Sequence, residues 1–166
     1  STTIPRGPQK ASGFSAWQPT FSEPATAAHA VQYASKFFVA NPWMCSVSLT
    51  VNDGGGYSES DYRRAAELPG GKGTLSDVYY EYINTVARAL KSACPGKYVA
   101  SLAYGVTEEA PAFRLEDNVL LFVLNEPKVV LGRWGEKARH FGVYMWLYGN
   151  NWWLFPNHWP HALQEA

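Results

Sequence analysis

Apolar strand-like runs that alternate with helical patterns are the feature that most restricts how this chain can fold. Three such runs span Cys45–Val51, Tyr98–Tyr104 and Val119–Leu124, and the third is apolar at every position. A continuous apolar run is typical of a strand that is covered on both faces, as strands of parallel sheets are. We therefore expect a parallel sheet.

Helical patterns separate these runs. The first predicted helix begins after Ser22, carries Pro24 in its first turn, and ends at Asn41-Pro42. A second helix follows the capping sequence Thr74–Asp77 and ends at Pro95-Gly96. Its apolar stripe, which we assign to the core, includes Tyr79, Tyr82, Ile83 and Val86.

The last part of the chain is predicted to hold one more helix and one more strand. A short helix over Arg133–Phe141 would be closed by Gly142, and a strand over Val143–Tyr148 would follow it. The polar, glycine-rich segment 52–73 lacks a helical or strand period, so we expect a long loop there.

The order of these elements indicates the fold class. Strands that alternate with helices, here about four strands and three to four helices, indicate right-handed crossovers and an α/β fold of parallel βα units. A closed (β/α)8 TIM barrel usually needs about 250 residues, whereas this chain has 166. We expect a small open sheet or part of a larger barrel in a domain of residues 23–166, after an extended lead-in at 1–22.

Charge and composition narrow the classes of partner. Fourteen Lys and Arg balance fourteen Asp and Glu, so the chain lacks the basic excess that nucleic-acid binding needs. The longest apolar run has six residues, far short of the about 20 that cross a membrane. We expect neither nucleic acid nor membrane as a partner. The 7 Trp, 10 Tyr and 8 Phe favour a ring-stacking ligand or a large interface.

The cysteines and histidines do not indicate a metal site. Cys45 lies in a strand-like run and Cys94 at a predicted helix end, so we expect two buried free thiols. His158 and His161 have a spacing seen in metal sites, but Pro160 between them breaks the helical face that such a pair uses. No metal ion and no cofactor is predicted.

Polar residues follow each predicted strand at its carboxyl end, where ligands bind in parallel α/β folds. Paired carboxylates supply the acid and the base or nucleophile of glycoside hydrolysis, and aromatic rings stack on the apolar faces of sugars. The candidate catalytic residues are Asp53, Glu108, Glu109 and Glu126. The candidate substrate-binding residues are Asn52, Tyr104, Trp146, Tyr148 and Trp152.

Simpler interpretations of the same motifs stay open. The segment 52–56, Asn-Asp-Gly-Gly-Gly, is also a common turn composition, and Glu108-Glu109 also fits a solvated loop. Asn125-Glu126-Pro127 resembles the acid/base tripeptide of many retaining barrel glycosidases and equally fits a plain strand exit.

Four segments, taken in their order and spacing, resemble one protein family. They read V-N-D-G-G-G-Y-S-E-S (51–60), S-D-V-Y-Y-E-Y-I-N-T-V-A-R (76–88), P-G-K-Y-V-A-S-L-A-Y (95–104) and E-D-N-V-L (116–120). Over Pro24–Pro156 the chain is similar to the bacterial family named domain of unknown function 4838.

This resemblance implies a glycosidase-like (β/α)8 barrel in large, often exported bacterial proteins that act on or bind carbohydrate. It therefore implies a secreted or periplasmic location. The family's motif positions carry over to Asn52, Asp53, Tyr104 and Glu108. Ser58 and Ser60 stand where the family pattern has cysteines, so a metal or disulfide held by those cysteines is not expected here.

The leading hypothesis is a carbohydrate-active, glycoside-hydrolase-like segment that binds or cleaves a polysaccharide. A non-catalytic glycan-binding module and a structural or assembly module are the alternatives. Part of a barrel leaves strand edges unpaired, which is a liability in water. The predicted partners besides carbohydrate are therefore a second copy of the chain or the rest of a longer parent chain, unless the sheet repacks to hide its edges.

Overall fold

The computed structural model describes residues 17–124 and 132–144. Its elements run in chain order as α1 Pro24–Ala40, β1 Ser46–Ser48, α2 Glu59–Glu67, α3 Leu75–Ala93, β2 Tyr98–Ala103, β3 Val119–Leu124 and β4 His140–Tyr144. A short 3-10 turn, Gly105–Thr107, follows β2. The two long predicted helices are confirmed as α1 and α3.

The four strands form one parallel sheet in the order β1-β2-β3-β4. Val99 of β2 pairs with Val119 of β3, and Leu120 of β3 pairs with His140 of β4. Each strand lies beside its predecessor in the chain, so the described sheet lacks the reversal of strand order found in doubly wound folds. The predicted α/β fold of parallel βα units is confirmed, and this winding is compatible with part of a barrel.

Helix α3 forms because its sequence supplies both a cap and an apolar stripe. The Thr74 hydroxyl accepts the backbone N–H of Asp77 at 3.2 Å, which satisfies one of the free donors at the helix start. The stripe assigned to the core is confirmed as buried, at Tyr79, Tyr82, Ile83 and Val86.

The Tyr79 hydroxyl ties α3 to the sheet. It donates to the carbonyl oxygen of Leu49 just after β1 at 2.9 Å, and it lies 2.7 Å from the Ser101 hydroxyl in β2. Burial, followed by the neighbouring Tyr80, raises the pKa of Tyr79 well above its usual value. The phenol therefore stays protonated at neutral pH and remains a hydrogen-bond donor.

The two faces of the sheet differ in burial. On the face toward α3, Val99, Ser101 and Leu121 are buried, whereas Leu102 and Phe122 on the opposite face are half-buried. Strand β3 therefore alternates in burial although every residue in it is apolar. The apolar run in β3 predicts that both faces of the sheet are covered equally. Helix α1 packs against α3, so the two long described helices do not cover both faces of the sheet equally.

Helix α2 lies within the segment that was predicted to be a loop. The Ser58 hydroxyl accepts the backbone N–H of Asp61 at 3.1 Å and caps the helix. Ala65 is its one buried apolar residue, so the helix presents no apolar stripe. The Asp61 carboxylate is fully buried and accepts the backbone N–H of Ser22 at 2.8 Å, which joins α2 to the segment before α1.

The predicted helix over Arg133–Phe141 is wrong in its extent, because β4 begins at His140 and Gly142 lies inside it. Among the described residues 132–144, those that are helical are 132–134. The glycine is explained by packing: a Cβ at Gly142 would overlap the ring of Phe122 on β3. The predicted continuation of this strand to residue 148 lies outside the described residues.

Two smaller predictions also need correction. Strand β1 covers Ser46–Ser48 and is shorter than the predicted run. Both cysteines are free, as expected, but the prediction that they are buried is wrong: Cys45, just before β1, is exposed, and Cys94, just after α3, is half-buried.

Candidate functional site

The candidate site lies at the carboxyl edge of the parallel sheet. Segments that follow β1 and β2 leave the sheet at the same edge, because parallel strands end on one side. Five predicted site residues lie in these two segments, namely Asn52, Asp53, Tyr104, Glu108 and Glu109. The other four lie outside the described residues, namely Glu126, Trp146, Tyr148 and Trp152.

A cleft of about 570 Å³ opens beside the turn that follows β2. Pockets for small ligands commonly have volumes of about 300 to 1,000 Å³. Glu108 and Glu109 both line this cleft and both are exposed. The remaining described residues of its lining are Lys72, Gly105, Ala110 and Arg133.

The backbone of the acidic turn, residues 107–109, is held by three buried side chains. Each of its three carbonyl oxygens accepts a hydrogen bond, and each donor has a relative exposure of 0%. Tyr80 Oη donates to the carbonyl oxygen of Thr107 at 2.9 Å. Trp134 Nε1 donates to that of Glu108 at 3.1 Å, and Ser76 Oγ donates to that of Glu109 at 2.5 Å. The two glutamate side chains therefore project into the cleft from a fixed backbone.

Two of these donors support each other. The rings of Tyr80 and Trp134 meet edge to face, with centroids 5.0 Å apart and planes at 74°, a favourable arrangement for aromatic pairs. Burial raises the pKa of Tyr80 far above its usual value, more than its hydrogen bond to Thr107 lowers it. The Tyr80 hydroxyl is therefore protonated throughout the physiological pH range.

Asp77 fixes the two segments that flank the cleft. Its carboxylate is fully buried. One oxygen accepts the backbone N–H of Ala112 at 2.9 Å, and the other accepts the backbone N–H of Lys72 at 2.6 Å and the Thr74 hydroxyl at 3.2 Å. Hydrogen bonds to a buried carboxylate are among the stronger ones in proteins, so Asp77 holds the backbone of Lys72 close to Ala112, three residues after the acidic turn.

The charges in the cleft are only partly paired. Lys72 donates to the Glu109 carboxylate at 3.3 Å and to the carbonyl oxygen of Ala110 at 2.9 Å. Neither the Glu108 carboxylate nor the Arg133 guanidinium forms a hydrogen bond or ion pair with residues 17–124 or 132–144. Within residues 17–124 and 132–144, the cleft therefore offers one unpaired acidic and one unpaired basic side chain to a ligand.

Asn84 attaches α3 to a later part of the connection from β2 to β3. Its amide donates to the carbonyl oxygen of Arg114 at 2.9 Å and accepts the backbone N–H of Glu116 at 2.8 Å. The Glu116 carboxylate in turn pairs with Arg88 at 3.1 Å and Lys91 at 2.5 Å. These partners, Lys91 first, lower the pKa of Glu116 against the opposing effect of its burial.

Sequence reasoning missed the four residues of α3 that hold the acidic turn and its continuation. They are Ser76, Asp77, Tyr80 and Asn84. The signal that could have found them is their spacing, because all four fall on one face of the helix and three of them are polar residues beside an apolar stripe.

Asn52 and Asp53 are placed differently from the two glutamates. The backbone N–H and carbonyl of Asn52 both bond the side-chain amide of the buried Gln18, at 3.0 and 2.7 Å, and its own amide donates to Trp17 at 2.8 Å. Asp53 is exposed and precedes Gly54, whose φ of 91° favours glycine. The cleft lining described above includes neither residue, so their roles toward a substrate stay predictions.

Tyr104 directly follows β2 and begins the 3-10 turn that leads to the acidic turn. Its backbone N–H and carbonyl both bond the Thr107 hydroxyl, at 3.3 and 3.0 Å. The side chain is 40% exposed. The side chain is therefore partly accessible at the edge of the sheet, and its predicted role, orienting a substrate by hydrogen bonding, stays a prediction.

The described residues contain neither a candidate metal site nor a helix that could cross a membrane. They contain no group of three His, Cys, Asp or Glu side chains that could hold a metal ion. None of their helices is both long enough and apolar enough to cross a membrane.

Comparisons with known proteins identify the family. The model of the family described as domain of unknown function (DUF4838) matches residues 3–158. No curated protein and no solved structure matches the chain. The match covers most of the sequence and confirms the resemblance found in its motifs. The chain belongs to the DUF4838 family.

Proposed function

We propose that this chain is a carbohydrate-active, glycoside-hydrolase-like segment that binds a polysaccharide in the cleft beside Glu108. The observation that carries the proposal is an exposed Glu108 carboxylate that has no partner among the described residues, on a backbone that buried side chains hold in place. The cleft lies at the carboxyl edge of a parallel sheet, where such folds bind their ligands. A fixed carboxylate in a cleft suits hydrogen bonding to sugar hydroxyls.

The two glutamates would have different roles. Glu109 pairs with Lys72, so it is suited to orienting sugar hydroxyls rather than to moving protons. Glu108 is free of such a partner among the described residues, and we assign it the role of general acid or base. Hydrolysis needs a second carboxylate across the scissile bond. Asp53 and Glu126, which follow the neighbouring strands β1 and β3, are the candidates.

Binding without cleavage is the second candidate function, and one observation favours it. The carboxylates that line the described cleft come from two adjacent residues, and one of them is already ion-paired. A glycan-binding module needs only rings and hydrogen-bonding groups. Tyr104 supports either function, and Asn52, Trp146, Tyr148 and Trp152 stay proposed as substrate-binding residues.

The test measures binding and cleavage on the same panel of plant and microbial polysaccharides. Binding is followed by affinity electrophoresis, and cleavage by the release of reducing ends. We compare the wild type with Glu108→Gln, which removes the charge and keeps the shape. The matched control is Glu59→Gln, an exposed glutamate in the first turn of α2.

We expect Glu108→Gln to weaken binding about tenfold, since hydrogen bonds to charged groups contribute about 1.5 to 3 kcal/mol. Any cleavage should fall by about 10² to 10⁴. Glu59→Gln should behave as the wild type. Binding without release of reducing ends would assign the second function. If no polysaccharide binds, or if Glu108→Gln binds as tightly as the wild type, the proposal is wrong.

A further inference from the structure

We infer that the polysaccharide bound in this cleft carries an anionic substituent, a carboxylate or a sulfate, and that Arg133 binds it. This inference rests on the proposed function and names the substrate class for the same cleft. Its basis is that the Arg133 guanidinium, which has no partner in the described part of the chain, lines the same cleft as the acidic turn.

Arg133 is the free cation among the described residues of the cleft. Lys72, the other basic residue there, already bonds Glu109 and the carbonyl oxygen of Ala110. The Arg133 side chain is exposed and has no partner within the described ranges. A ligand can therefore reach its guanidinium without first breaking an ion pair.

The backbone beside Arg133 is fixed relative to the acidic turn. Its neighbour Trp134 is fully buried, and the Trp134 indole donates to the carbonyl oxygen of Glu108. One hydrogen bond thus holds the segment that carries Arg133 against the segment that carries Glu108. This link holds the backbones that carry Glu108 and Arg133 next to each other, and both side chains line the same cleft.

The chemistry of the two groups selects the ligand. A guanidinium presents a planar fork of N–H donors that matches the two oxygens of a carboxylate or sulfate. A neutral sugar would leave the Arg133 charge without a counter-charge. The Glu108 carboxylate repels an anion and accepts hydroxyl groups. An acidic sugar would therefore bind with its anionic substituent at Arg133 and its hydroxyls at Glu108.

The experiment uses matched polysaccharides that differ only in charge. Polygalacturonate is compared with its carboxyl-reduced form, and carrageenan with its desulfated form, by calorimetry at low and high NaCl concentration. We expect the acidic form of at least one pair to bind about tenfold or more tightly than its neutral form. Salt should reduce this preference, because it screens exposed charges.

Variants of Arg133 connect the preference to the cleft. Arg133→Gln should abolish the preference for the acidic form, and Arg133→Lys should restore part of it, since the charge returns without the fork. Arg63→Gln, on the exposed surface of α2, makes the same change of charge outside the cleft and should keep the preference.

The outcomes separate the two proposals. If neutral forms bind as tightly as acidic ones, or if Arg133→Gln keeps the preference, the inference is overturned while the proposed function stands. If neither these probes nor the neutral polysaccharides of the panel bind, the proposed function fails and the inference fails with it. A preference for polygalacturonate alone or carrageenan alone identifies the substituent as carboxylate or sulfate.

Discussion

The indole N–H of Trp134 donates to the carbonyl oxygen of Glu108 at 3.1 Å. Glu108 lies in the connection that precedes β3, and Trp134 lies in the connection that follows it. Trp134 has 0% exposure, so water cannot replace this hydrogen bond if it is lost. The pair links the acidic turn to the segment before β4. We regard it as the main support for the position of Glu108.

Replacing this tryptophan tests that role. Trp134→Phe removes the donor and leaves a cavity, and it should lower the free energy of unfolding by about 2 to 4 kcal/mol. Trp43→Phe is the matched control, because Trp43 is 75% exposed and should change stability by less than about 0.5 kcal/mol. Urea denaturation measures both. Equal effects of the two substitutions would contradict the structural role of Trp134.

Asp77 should matter through its charge as well as its shape. Asp77→Asn would place an amide N–H against the backbone donors of Lys72 or Ala112, so we expect a loss of about 2 to 4 kcal/mol of stability. Asp117→Asn, which breaks an exposed pair with Arg139, should cost less than about 1 kcal/mol. Chemical denaturation of both variants provides the comparison. If Asp77→Asn lowers the free energy of unfolding no more than Asp117→Asn does, the structural role of the Asp77 carboxylate is refuted.

The buried tyrosines predict a decline in stability at alkaline pH. Burial raises the pKa of Tyr57 to about 12, with the neighbouring Tyr62 and Asp61 adding to the effect, and it raises the pKa values of Tyr79, Tyr80 and Tyr82 still further. The folded protein keeps these phenols protonated, whereas the unfolded chain releases their protons near pH 10. The contribution of these phenols to stability is therefore constant below about pH 10 and falls as the pH rises above it.

Each of these phenols should lower the free energy of unfolding by about 1.4 kcal/mol per pH unit between pH 10 and its folded pKa. Denaturation at several alkaline pH values, with tyrosinate absorbance as a second signal, measures the slope. Tyr57→Phe removes one of these phenols, so the free energy of unfolding should fall less steeply, by about 1.4 kcal/mol per pH unit. Ionisation of all the tyrosines near pH 10 without unfolding would show that the phenols are not shielded as described.

Much of the fold was predictable because the deciding interactions are local. The Thr74 cap lies within one turn of the helix that it starts, and the apolar stripe of α3 repeats within its own nineteen residues. The parallel sheet followed from the alternation of strands with helices along the chain. Gly142 was misassigned because a glycine after a short helical pattern usually marks a helix end. The contact that places it in a strand comes from Phe122, on a different strand.

The candidate site was predictable in part for the same reason. Glu108 and Glu109 follow the short turn after β2, so their place at the sheet edge could be predicted from the sequence. Lys72 and Arg133 lie in other connections and reach the cleft only through tertiary contacts. The hydrogen bonds made by Asp77 likewise join distant segments, and a helical aspartate shows no local sign of such partners.

The packing of Phe122 over Gly142 also restricts which residues can occur together at these two positions in homologues. A homologue that acquires a methyl group at position 142 can accommodate it only with a smaller or differently oriented residue at 122, since the two would otherwise occupy the same space. Alignment columns for the two positions should consequently covary. A glycine in the column for 142 together with an aromatic residue in the column for 122 would mark sequences that retain this contact between β3 and β4.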